Sequence, residues 1–183
     1  MPRPRLSLAH VTLAVRDVDA MAAFYADVLG FVVTDRGEPV PGMGEMVFMS
    51  QDPAEHHQIV LVSAPEPPTP GFSLADHMAF RTGSLDDLRD IGRRLDAAGT
   101  TGVIPISHGN AWSLYFTDPE GNGVECFVDT PFHLAQPYAD GLDLSLADDD
   151  VAATTRAAIE THDGFAAVDD WRREHIARID ARA

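Results

Sequence analysis

Two stretches of the chain share one pattern of apolar and polar positions. The first, HVTLAVRDVDAMAAFYADVLGF, starts at His10, and the second, HMAFRTGSLDDLRDIGRRLDAAG, starts at His77. Counted from each histidine, apolar residues recur at +8 (Val18, Leu85), +11 (Met21, Leu88), +14 (Phe24, Ile91) and +18 (Val28, Leu95). Those steps fall on one face of a 3.6-residue helix. A capping residue stands at +7 (Asp17, Ser84), Ser84 with Asp87 resembles a capping box, and Gly30 and Gly99 sit where helix C-termini take a left-handed residue. Strand-like runs follow each helix. They are 31–35, 45–50 and 57–64 after the first, and 103–106, 112–117 and 123–128 after the second. The turn DPEGN at 118–122 makes the last two a hairpin.

Each half therefore reads β-α-β-β-β, and the repeat predicts an α+β fold of two such modules, 7–64 and 74–129, within a domain ending at 130. The proline-rich stretch 65–73 is the linker. From 131 to 183 the composition changes to a Pro- and Asp-rich extension with helices expected at 150–161 and 167–181. It reads either as a cover for a site or subunit interface, or as a solvated amphipathic tail.

Charge narrows the class of partner. Thirteen Lys and Arg face 29 Asp and Glu, a net −16, and every cation is Arg. Such acidity disfavours phosphate backbones and anionic lipid, so neither a nucleic acid nor a membrane partner is expected. The single cysteine, Cys126, excludes an intrachain disulfide framework and fits a reducing compartment. Two arginines precede an apolar run near the N-terminus, but His10 and Thr12 interrupt it and no small-residue cleavage signature follows. It reads as the first strand of a soluble, cytoplasmic protein.

His10 and His77 open the two repeated units, each flanked by apolar residues, and a repeat brings equivalent positions together about a pseudo-twofold axis. A third polar residue stands out in an apolar strand, Glu125 in GVECFV. Carboxylates are rarely buried unless paired or bound to a metal. Two imidazoles and one carboxylate form a facial triad with open positions, which favours Fe(II), while Mn(II), Zn(II) and Ni(II) accept the same ligand types. The hairpin turn sets Tyr115 opposite Glu125 on one sheet face. Trp112, on the other face by alternation, is expected to pack under a helix.

The strands LAHVTLAV, ADHMAF and YFTDPEGNGVE resemble the metal-binding strands of the vicinal oxygen chelate superfamily, over residues 7–129. That superfamily includes glyoxalase I, bleomycin-resistance proteins and type I extradiol dioxygenases. The resemblance implies a cup around one metal held by His10, His77 and Glu125. It is closest to the extradiol branch, which implies cleavage of a catechol-like aromatic substrate by O2. In that branch His57 matches an acid/base histidine, Tyr115 a tyrosine bonding the substrate oxygen, and His108 a further histidine at a departing spacing. Isomerase, epimerase and glyoxalase branches place a fourth ligand on the strand after His57, where only Gln58, at its start, qualifies. A sequestering protein of the bleomycin-resistance type would not need the triad. Two-module members commonly pair, so a homodimer is expected, with Met43, Met46, Phe132 and Tyr138 framing the entrance.

Overall fold

A computed structural model describes residues 7–38, 40, 44–64 and 76–180. Met43 and the linker 65–73 lie outside the described residues. The first module comprises β1 (Val11–Val15), α1 (Val18–Asp27), β2 (Val32–Gly37), β3 (Met46–Ser50) and β4 (Ile59–Ser63). The second comprises β5 (His77–Arg81), α2 (Leu85–Ala97), β6 (Ile104–Ser107), β7 (Ala111–Thr117) and β8 (Gly123–Asp129). Their sheets have the same order, β1-β4-β3-β2 and β5-β8-β7-β6, with the first strand parallel to the last in each. The repeat seen in the apolar spacing is thus a repeat of topology. Among the described residues the two sheets share no ladder, and β1 and β5 each lie at an edge.

Local chemistry starts and stops both helices as expected. Asp17 accepts from the Ala20 amide at 2.9 Å and Ser84 from the Asp87 amide at 3.1 Å. Gly30 and Gly99 have φ of +77° and +72°, a region that side chains with a Cβ avoid. Val18, Met21 and Phe24 of α1 and Val28, which caps it, join Leu85, Leu88 and Leu95 of α2 in one core, with Val15, Ile59, Leu61, Leu114, Phe116 and Cys126 from the sheets. The modules interlock there: Phe24 meets Phe116, Phe31 meets Phe80, and the buried Tyr25 hydroxyl donates to Asp118 Oδ2 at 3.1 Å. Burial, then the Asp118 carboxylate, pushes the Tyr25 phenol well above its usual range. Glu120, in the turn before β8, accepts from the Arg16 and Asp17 amides at 2.7 and 2.9 Å.

The extension adds β9 (Phe132–His133), β10 (Asp140–Gly141), α3 (Asp148–Ile159), β11 (Ala166–Ala167) and α4 (Val168–Asp180). Its helices fall within two residues of the expected limits. It is no solvated tail through α3: β10 pairs with β6, extending the second sheet, and α3 buries Val151, Thr155 and Ile159. Trp112 does pack under a helix, its Nε1 donating to Thr155 Oγ1 at 2.7 Å. Arg89 reaches from α2 to the Leu144 and Leu146 carbonyls and to Asp148. The helix α4, by contrast, has no buried residue. Among the described residues, no helix is long and apolar enough to cross a membrane.

Candidate metal and substrate site

Strand alternation sorts the side chains of the second sheet. Val124, Cys126 and Val128 of β8 and Trp112, Leu114 and Phe116 of β7 turn to the core. Glu125, Tyr115 and Ser113 therefore share the opposite face. Tyr115 pairs directly with Glu125 in the β7–β8 ladder, the register read from the turn. On the parallel neighbour β5, His77 pairs with Gly123. A Cβ on Gly123 would lie 2.3 Å from the Asp76 carbonyl oxygen and 3.1 Å from His77 Cβ, so only glycine lets β5 approach this closely.

His77 and Glu125 meet here. His77 Nε2 lies 3.1 Å from Glu125 Oε2, and its Nδ1–H donates to Asp76 Oδ2 at 2.8 Å, which orients the ring. Glu125 is 8% exposed; its other oxygen accepts from Ser113 Oγ at 2.6 Å. One carboxylate oxygen is thus occupied and the other points at the imidazole. Tyr115 flanks the pair, its ring centroid 5.3 Å from that of His77, and its hydroxyl lies 3.0 Å from His108 Nε2. Burial and the Glu125 carboxylate raise the Tyr115 phenol above its usual range. Glu125 and Tyr115 flank His77, and His108 joins them through the Tyr115 hydroxyl. Asp76 and Ser113 were missed by sequence reasoning. Ser113 was accessible from it, since alternation places it on the Tyr115 face.

His10 stands elsewhere. It precedes β1, with its ring centroid 4.6 Å from that of His57, and the Phe48 ring centroid lies 5.3 Å from that of His57. His57 Nδ1 contacts His56 Nδ1 at 2.9 Å, and His56 Nε2 lies 3.1 Å from Asp35. Burial, then the neighbouring His10 and His56, lowers the His57 pKa below the usual histidine value. Among the described residues, no three His, Cys, Asp or Glu side chains form a group able to hold a metal. The donor set suits a divalent cation in kind, and two of its members converge. The third does not join them within one chain.

Gln58 is not poised as a ligand: its Oε1 accepts from the Gln51 amide at 2.9 Å in the β3–β4 connection. Of the expected entrance residues, Met46 lines a shallow hollow with Phe48 and His56, while Phe132 packs on Phe165 within the extension. Tyr138 comes to the site through its backbone, its carbonyl accepting from His108 Nδ1 at 2.7 Å. A cavity of about 580 Å³ between the modules, lined by Gln51, Gln58, Arg81 and Arg94 among others, includes neither His77 nor Glu125.

A mixed two-module β-α-β-β-β fold with converging imidazole and carboxylate groups defines a class, and the comparisons agree with it. The chain belongs to the Glyoxalase/Bleomycin resistance protein/Dioxygenase superfamily, whose model matches residues 7–126. It is 36% identical over 124 residues to biphenyl-2,3-diol 1,2-dioxygenase 2 of Rhodococcus globerulus, covering 66% of this chain and 62% of that one. It is also 30% identical over 125 residues to the glutathione transferase FosA of Serratia marcescens, covering 67% and 80%. A glyoxylase/bleomycin resistance protein/dioxygenase domain from Frankia sp. EAN1pec superposes with a TM-score of 0.59 at 25% identity, over 69% of this chain and 93% of that domain. The chain spans a little under two thirds of the length of the Rhodococcus dioxygenase.

Proposed function

We propose that the protein is an Fe(II)-dependent extradiol-type dioxygenase that cleaves a catechol-like aromatic ring with O2. The observation that carries this reading is the overhang of Tyr115 and His108 beside the His77–Glu125 pair. The phenol, held at 3.0 Å by the His108 imidazole, presents its oxygen to a hydroxyl-bearing substrate at the edge of a two-donor ligand set. The similarity to a biphenyl-diol dioxygenase supports the same reaction class.

A four-ligand isomerase or lyase site is disfavoured by register. Val11 pairs with Ile59 and Met78 with Val124, so the position matching Glu125 in the first module is Val60, which offers no donor atom. A metal here would have three protein ligands, His10, His77 and Glu125, and open positions for substrate. Bound ferrous iron would supply the redox link between diol and O2 and acidify the diol hydroxyls.

The remaining roles belong to side chains of this chain. Tyr115 orients the hydroxyl nearest it, and His108 holds the phenol from behind. His57, beside His10, is the acid/base group on the opposite side. A homodimer reconciles the triad with the separation of His10 from His77. The outer edges of β1 and β5 have no strand partner among the described residues, and each first strand begins at or beside one of the two histidines. Pairing β1 of one copy with β5 of the other would bring His10 and His57 of the partner subunit to His77, Glu125, Tyr115 and His108.

The test is anaerobic loading with Fe(II), addition of catechol or 2,3-dihydroxybiphenyl, and admission of O2. One O2 consumed per diol, with a coloured ring-fission product, is expected. Absence of O2 uptake with every diol, from protein carrying stoichiometric iron, would reject the assignment.

A further inference from the structure

The extension lies beyond the family match, which ends at residue 126, yet it touches the site. Its point of contact is the Tyr138 carbonyl, 2.7 Å from His108 Nδ1. We propose that the C-terminal extension positions the Tyr115 hydroxyl by fixing the tautomer of His108.

A carbonyl oxygen can only accept, so His108 Nδ1 must carry a proton to make this bond. In the neutral ring Nε2 is then a lone pair, and at 3.0 Å from the Tyr115 oxygen it can only accept the phenol proton. The opposite tautomer would have a different outcome. Nε2–H would donate to Tyr115, and the phenol proton would be left to turn toward the Glu125 carboxylate, its cross-strand neighbour. Oε2 would then be engaged by Tyr115 as Oε1 already is by Ser113, leaving neither Glu125 oxygen free to face a cation. With Nδ1 protonated, Glu125 keeps Oε2 free and the phenol oxygen presents lone pairs to the site. A ligand hydroxyl at that place is therefore bound as a donor. This last consequence rests on the dioxygenase reading; the tautomer does not.

The carbonyl is held on both sides. Gln136 Oε1 accepts from the Tyr138 amide at 3.0 Å, and its Nε2 donates to the His108 carbonyl at 2.8 Å and to Asn110 Oδ1 at 3.3 Å. Two residues after Tyr138, β10 pairs Asp140 with Ser107, the residue before His108. The extension thus grips the His108 loop through one side chain and one short ladder. Gln136 is a positioning residue in this scheme.

Nitrogen-15 NMR of histidine-labelled apoprotein at mildly alkaline pH reads the tautomer directly. Wild-type His108 should show a protonated Nδ1 and an unprotonated Nε2. Tyr115→Phe should keep that state, because the carbonyl rather than the phenol sets it. Gln136→Ala should lose it in part, with a population protonated at Nε2 appearing. A wild-type ring protonated at Nε2, a switch caused by Tyr115→Phe, or a Gln136→Ala ring left wholly unchanged would each overturn the proposal. Failure of diol turnover in the loaded enzyme would remove the dioxygenase reading and leave these spectra standing.

Discussion

If each metal site draws His10 from one subunit and His77 and Glu125 from the other, two dead variants should rescue each other. His10→Ala removes the imidazole that lies beside His57, and Glu125→Ala removes the carboxylate that faces His77. Each homodimer then has two broken sites. Random reassortment makes half of the dimers mixed, and in a mixed dimer one site receives both lesions while the other receives neither. The mixture should recover about a quarter of the wild-type sites. Co-refolding equal amounts and measuring bound Fe(II) per chain gives that fraction without any assumption about the substrate. Diol-dependent O2 uptake gives it a second time. His57→Ala with Tyr115→Phe should complement in the same way, because His57 travels with His10 and Tyr115 with Glu125. Recovery no greater than the sum of the parents would place all ligands in one chain and refute the shared site.

Three further outcomes follow from packing. Ser113→Ala removes the 2.6 Å hydrogen bond that occupies one Glu125 oxygen, and should weaken metal binding about 10- to 100-fold in a competition assay while leaving the fold intact. Gly123→Ala forces a Cβ to within 2.3 Å of the Asp76 carbonyl and should cost roughly 1–3 kcal/mol in denaturant unfolding, with loss of metal binding as β5 is displaced; unchanged stability would contradict the strand spacing. Burial pushes the Cys126 thiol up to about 12, so folded protein should resist alkylation at neutral pH and react fully once unfolded.

Much of the fold was legible because its signals are local or periodic. The two helices announce themselves through 3.6-residue spacing, side-chain caps at Asp17 and Ser84, and terminal glycines. The Tyr115–Glu125 pairing followed from one tight turn, since a hairpin turn fixes every cross-strand pair behind it. The position of His10 was not legible in this way. The repeat shows that His10 and His77 are equivalent, but equivalence brings them together only if the edges of β1 and β5 meet. Which copy's edges meet is a property of assembly, without a period in the sequence. The His108 contact with Tyr138 escaped for a related reason: it joins residues 30 apart through a backbone carbonyl, a partner that leaves no side-chain signature.

The same register that equates the modules also explains why a nearly symmetric scaffold can build an asymmetric site. Phe48 pairs with Val60 in the first module as Tyr115 pairs with Glu125 in the second. Met46 pairs with Val62, and Ser113 with Phe127, so Met46 takes the place of Ser113. At three matching positions the second module carries Glu125, Tyr115 and Ser113, and the first carries Val60, Phe48 and Met46. Burying a carboxylate demands partners, and the second module supplies them from its own strands. The first module supplies apolar and polarizable surface instead, with His10 and His57 at its rim. The catechol-type guest proposed above would use both halves, a polar wall for its two hydroxyls and an apolar wall for its ring. Divergence at three pairs of equivalent residues, on the same strand order, is sufficient to make one wall of each kind.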